Sequence, residues 1–337
     1  LHTFLQKACA AMEQDSDPES LRDAADGMAE CLRNVDSDIL SGQELLQLAQ
    51  KLFWFIDVSF ERSRAAEGQK ADDNQQDEDD KDTTPDDEDI CRRGYEEALG
   101  AALKAVAPSK FLPCLPECGR RMAAWLATKD NKILALWLAC DLLEHLKEQS
   151  QPAWATFMPH VFQAFSEGDA GVLSAAALAI SLAAPLYSFE PVAAEAFRSL
   201  TKAIAGPTPL QQDGKAQLAM DMCVAALVAL LVEKPSFCPP DVQAWQLAVS
   251  KLPLRVDEIE ARKVHGIVAG MVIQQHPGLL GQGNVHLGKI LSALAEVYHH
   301  RELSTKGTDA KILNIFVMLP PGVLLQAASS LTEKQRE

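Results

Sequence analysis

Trp154 to Ala184 reads WATFMPHVFQAFSEGDAGVLSAAALAISLAA. In its first half, Trp154, Phe157, Met158, Val161, Phe162 and Phe165 fall at i, i+3, i+4, i+7, i+8 and i+11. That is the stripe of a 3.6-period helix. Val172, Ala175, Ala176, Ala179, Ile180 and Ala183 repeat the pattern. Gly168 and Asp169 lie between, where one helix stops and the next is capped. The alanines of the second helix let two helix axes approach closely. Such a pair cannot bury both its faces alone, so it requires similar pairs beside it.

The rest of the chain supplies them. Asp130, Asp169, Asp213 and Asp257 each precede a helical run, at steps of 39, 44 and 44 residues. Two helices per unit of about 40 residues is the signature of HEAT-type repeats. The expected fold is therefore all-α, an α-solenoid of antiparallel helix pairs stacked into an arch. Its expected organisation is a first block of repeats over 1–64, an acidic disordered loop over 65–89, further repeats over 90–331 and a polar tail over 332–337. A continuous stack overrides the two-domain prior that 337 residues would carry.

Among the expected helices are Gln43 to Arg64, Ile90 to Val106, Ile133 to Leu146, Asp257 to Gln274 and Val323 to Ser329. No run of 18 or more purely apolar residues occurs, so no membrane span is expected. The chain opens Leu1-His2-Thr3 without a Met, a basic segment or an apolar signal core, which reads as a cut inside a longer protein. Eight cysteines are scattered over apolar helical faces, a pattern of buried thiols in a reducing compartment and not of a disulfide framework.

The formal net charge is −16. From Asp72 to Asp89 there are eleven acids against Lys81 alone, so most of the excess lies in one segment. This surface should repel nucleic acid and anionic lipid and attract basic proteins. The candidate contacts for a basic partner are Asp72, Asp73, Asp77, Glu78, Asp79, Asp80, Asp86, Asp87, Glu88 and Asp89, with Asp141 and Glu144 on a helix beyond. The bland alternative for the segment is a solvated loop, and for Asp141 and Glu144 a solvated stripe.

Chemistry is not evident. No glycine-rich loop leads into a Gly-Lys-Ser/Thr, and no HExxH, GxSxG or kinase signature appears. Cys114 with Cys118, and His299 with His300, lack further ligands at metal-binding spacing. A non-enzyme without cofactor or metal is expected.

Two segments are more specific than the repeat period. Trp245 to His265 reads WQLAVSKLPLRVDEIEARKVH, and Leu279 to Val297 reads LLGQGNVHLGKILSALAEV. Together they resemble the C-terminal region of the importin-5 type of karyopherin-β, the nuclear import receptors. The resemblance rests on Leu252-Pro253-Leu254, Asp257, Glu260-Ala261, Leu279-Leu280-Gly281 and Asn284. Leu173 departs from it, standing where many HEAT units carry Arg.

The resemblance implies a monomeric receptor that shuttles between cytoplasm and nucleus. It would bind basic cargo such as ribosomal proteins and histones, contact Phe-Gly nucleoporins and release cargo to Ran-GTP. The main Ran site of that family lies in N-terminal repeats outside this chain. The rival expectation is a HEAT-repeat scaffold without transport activity.

Overall fold

The computed structural model describes residues 1–35, 39–72, 85–128, 131–206 and 213–322. Among the described residues every regular element is helical. The chain folds as two compact units, Leu1–Met158 and Pro159–Glu337.

The first unit holds α1 (His2–Met12), α2 (Pro18–Arg33), α3 (Gly42–Asp72), α4 (Pro85–Lys104), α5 (Pro108–Phe111), α6 (Leu115–Leu126) and α7 (Lys132–Leu146). Helix α8 (Trp154–Ala164) begins at its end and runs into the second unit. The second unit continues with α9 (Ala170–Ala183), α10 (Glu190–Ala205), α11 (Gly214–Glu233), α12 (Ala244–Ser250), α13 (Glu258–Ile273), α14 (Pro277–Leu280), α15 (Leu287–Val297) and α16 (Lys306–Met318).

Within each unit helices pack both on the next helix, as α3 on α4, α6 on α7 and α10 on α11, and on helices beyond it. In the first, α2 lies against α4 and α4 against α7. In the second, α9 lies against α11, α11 against α13 and α13 against α16, while α10 packs on α12 and α12 on α15. This is the neighbour-to-neighbour stacking of an α-solenoid of HEAT-type pairs, in which each repeat buries the face of the next.

The caps follow the period read from the sequence. Asp169 accepts a hydrogen bond from the Val172 N–H, Asp213 from Ala216 and Asp257 from Glu260. Thr305 caps α16 in the same way through the Thr308 N–H. Each side chain satisfies a donor that the first helical turn leaves free. Asp130 lies outside the described residues, and Asn131 takes the N-cap position of α7 without a side-chain bond.

Helix lengths differ from expectation at several ends. Helix α3 continues through Arg64 to Asp72, and α4 starts at Pro85, so both helices run into the segment expected as a loop over 65–89. Proline suits a helical N-terminus because its missing N–H would be unpaired there anyway. Helix α8 ends at Ala164, which leaves Phe165 in the following turn and not on the helix stripe. The helix expected at Val323 to Ser329 and the tail after it lie outside the described residues, as does the core of the acidic segment, 73–84.

Helix α11 has the length and apolarity to cross a membrane, with 20 residues and a hydropathy of 1.8. Its apolar residues are instead the core of the second unit, where Cys223, Val224, Ala226, Leu227 and Leu230 are closed off from solvent. Asp221 in the same helix accepts hydrogen bonds from the backbone of Arg255 and Val256, at 2.8 and 2.7 Å. All eight cysteines are free.

Candidate functional site

The acids that are consecutive in sequence are not equivalent in space. Asp72 closes α3, and Asp86 sits in the first turn of α4. The side chains of Asp72, Asp73, Asp77, Glu78, Asp79, Asp80 and Asp86 lie outside the described set. Asp87 is half-buried and borders a surface hollow with Asp17, Glu19 and Arg22.

Glu88 is 1% exposed. Its carboxylate accepts from the Ser59 hydroxyl at 2.6 Å and from Arg62 at 2.6 and 3.0 Å. It is a structural anion between α3 and α4, which removes it from the set that faces a basic partner. Asp89 is exposed and ion-pairs with Arg92 one turn on. Arg92 also donates to Ser59 and Ser63.

Asp141 and Glu144 stand on α7, with His145 beside them. Spacings of three and four residues put all three on one helix face. Opposite them, α4 presents Glu96, Gly100 and Lys104, again one turn apart. Lys104 Nζ lies 3.3 Å from Glu144 and 4.0 Å from Asp141.

Glu96 is buried, and its carboxyl group is hydrogen-bonded to that of Asp141. Burial drives the Glu96 carboxyl far above its usual range, and the Asp141 charge adds to this. Burial also raises Asp141, to about 6, against the opposing pull of the Glu96 hydrogen bond and Lys104. The pair therefore holds a proton between two carboxyl groups, because both cannot ionise in so dry a place. His145 is held below its ordinary range by burial, with Glu144 pulling the other way.

Gly100 makes this approach geometrically feasible. A Cβ there would overlap the Asp141 carboxylate. Gly100→Ala sets two effects against each other. Alanine gains about 1 kcal/mol of helix propensity. Overpacking against a buried side chain costs about 1–3 kcal/mol. The expected net result is a lower melting temperature, restored when Asp141→Ala clears the space; thermal unfolding followed by circular dichroism of the single and double variants checks this.

A second polar centre lies in the second unit, at the Leu252-Pro253-Leu254 turn, whose Leu252–Pro253 bond is cis. His265 on α13 is 1% exposed. Its Nε2 accepts from the Leu254 N–H at 3.1 Å, and its Nδ1 lies 2.9 Å from the Leu303 carbonyl. The first contact requires an unprotonated Nε2, so Nδ1 carries the hydrogen and donates to Leu303. Arg255 extends from the same turn to Glu296 at 2.7 Å.

The sequence drew attention to Asp141, Glu144 and the Leu252–Leu254 turn but not to Glu96, Gly100 or Asp221. The available signal was the spacing of Glu96, Gly100 and Lys104 along one helix face.

No family model matches the chain. Solved structures do. Kap121p bound to RanGTP superposes with a TM-score of 0.77 at 14% identity, over 98% of this chain and 29% of that one. Kap121p bound to Nup53p gives 0.75 at 15%, with the same coverages. The karyopherin Kap121p bound to the SUMO protease Ulp1p gives 0.75 at 14%, again over 98% and 29%. The chain thus spans about 29% of the length of the structures it matches, and over 98% of its own length it has the fold of a karyopherin.

Proposed function

We propose that this chain is the C-terminal part of a nuclear transport receptor of the importin-5 type, which binds basic cargo and carries it through the nuclear pore under Ran-GTP control. The observation that carries the reading is the match over 98% of the chain to a karyopherin solved with RanGTP and with Nup53p. The two segments at Trp245–His265 and Leu279–Val297 support the subfamily, since repeat periodicity alone would not produce them.

Charge supports the class of cargo. A net charge of −16 attracts Lys- and Arg-rich segments and weakens its hold as salt screens the field. The acids that remain for such contacts are those of the Asp72–Asp86 run, since Asp89 is paired with Arg92. Glu88 is committed to Arg62, and Asp141 and Glu144 already face Lys104. The solenoid contributes a long surface whose repeats touch only their neighbours.

The test uses the full-length parent protein, a basic ribosomal-protein segment as bait, and Ran locked in its GTP form. Capture of the receptor that Ran-GTP abolishes, and that falls as salt rises, is the expected result. Capture indifferent to both, or no capture of any basic segment, would move the assignment to a HEAT-repeat scaffold without transport activity.

A further inference from the structure

We propose that Asp141, Glu144 and His145, backed by Glu96, form a binding site for one divalent transition-metal ion. The site is distinct from the transport reading and does not depend on it.

Four observations carry it. Asp141, Glu144 and His145 each offer one ligand atom, and these atoms lie within 4.8 Å of one another. Their i, i+3, i+4 placement on α7 aims them from a single rigid face, so little ordering is needed on binding. Glu96, only 7% exposed and bonded through its carboxyl group to Asp141, keeps Oε1 without a hydrogen-bond partner. The His145 Nε2 is also closed from solvent; it lies 3.2 Å from Glu144 but is not aligned for a hydrogen bond. Buried polar atoms are rarely left unpaired, so the His145 nitrogen, which belongs to the three-residue cluster, points to a missing partner.

A cation held by Asp141, Glu144 and His145 would supply that partner. The cluster already draws one: the Lys104 ammonium lies against Glu144 and Asp141. Lys104 is 44% exposed and can swing into solvent when a better cation arrives. Carboxylate oxygens with one imidazole nitrogen and no thiolate suit Zn²⁺, Co²⁺ or Mn²⁺, whereas Mg²⁺ and Ca²⁺ prefer oxygen alone. Gly100 contributes space, since a side chain there would push Asp141 out of the group.

The probe is Co²⁺, titrated into the purified chain and followed by its visible d–d absorption. One ion per chain is expected, with the bands of nitrogen and oxygen ligation and no thiolate charge-transfer band. His145→Asn and Asp141→Asn should each weaken binding about tenfold or more. Glu144→Gln, at an exposed position and so without consequence for folding, should do the same. Lys104→Met should tighten binding by removing the competing ammonium. Circular dichroism confirms that each variant retains its helices. A thiolate band would assign the ion to the eight cysteines and overturn the proposal. So would binding unchanged in Glu144→Gln and His145→Asn, or no saturable binding at all.

Discussion

Replacing Glu88 by Ala is expected to destabilise the first unit by about 3–5 kcal/mol, the range for breaking a buried ion pair by removing one partner. Glu88 is 1% exposed and receives three donors, from the Ser59 hydroxyl and two nitrogens of Arg62. Arg92 donates to the same Ser59 hydroxyl and to Ser63, so the network includes two guanidinium groups. The Arg92 guanidinium also stacks 4.6 Å from the centre of the Phe60 ring. Without Glu88, Arg62 is left with Tyr95 and water, and Ser59 loses its carboxylate acceptor. Arg62 is 28% exposed and can partly resolvate, which favours the lower end of that range.

The paired replacement Arg62→Met with Glu88→Leu should recover most of the loss. A buried ion pair repays little beyond its own desolvation, and apolar residues of similar volume often replace it without cost. Urea denaturation followed by tryptophan fluorescence measures this, because four of the five tryptophans lie in residues 1–158. A single-variant loss below about 1 kcal/mol would place Glu88 with surface pairs and contradict the network.

Glu88 also marks the limit of what the chain's pattern discloses. As a string, 86–89 reads Asp-Asp-Glu-Asp and belongs with the acidic run before it. In space, Glu88 is closed off while Asp87 is half-buried and Asp89 exposed, because α4 starts at Pro85 and Glu88 meets α3. Its partners Ser59 and Arg62 are 29 and 26 residues upstream, on the far side of the acidic segment. Nothing local signals that pairing.

Features set by local chemistry were legible. The caps at Asp169, Asp213 and Asp257 depend on a side chain and an N–H three residues away. The stripes of α9 depend on the helical period, and its alanines are buried as their spacing requires. The helix ends were legible only in part. The run of α3 to Asp72 contains residues with good helix propensity but no apolar stripe, and the stripe was the signal read. The Glu96–Asp141 contact depends on α4 and α7 lying side by side, which periodicity predicts for the class but not residue by residue.

His265→Phe is expected to cost about 2–5 kcal/mol in the second unit, from orphaned hydrogen bonds and imperfect packing together. The change keeps a flat ring but adds volume, so the loss combines overpacking with two orphaned polar groups. The Leu254 N–H and the Leu303 carbonyl would both remain buried with no partner from the ring. Amide hydrogen exchange at Leu254 reads the effect directly, and unchanged protection there would contradict it. The same ring makes stability depend on pH. Burial lowers its pKa below 6.5, and this outweighs the opposing pull of the Leu303 hydrogen bond and of Asp221 and Glu296, with Arg255 acting alongside burial. The folded chain therefore binds fewer protons at His265 than the unfolded chain does. The contribution of the neutral ring is complete above 6.5 and is lost as pH falls from there toward the folded pKa. Protonation would also put a hydrogen on Nε2, facing the Leu254 N–H that now donates to it. The parent chain should lose stability between pH 7 and 5.5 more steeply than His265→Phe, so that the two unfolding midpoints converge as the solution is acidified. Midpoints that stay parallel across that window would show that His265 is not held neutral by its burial.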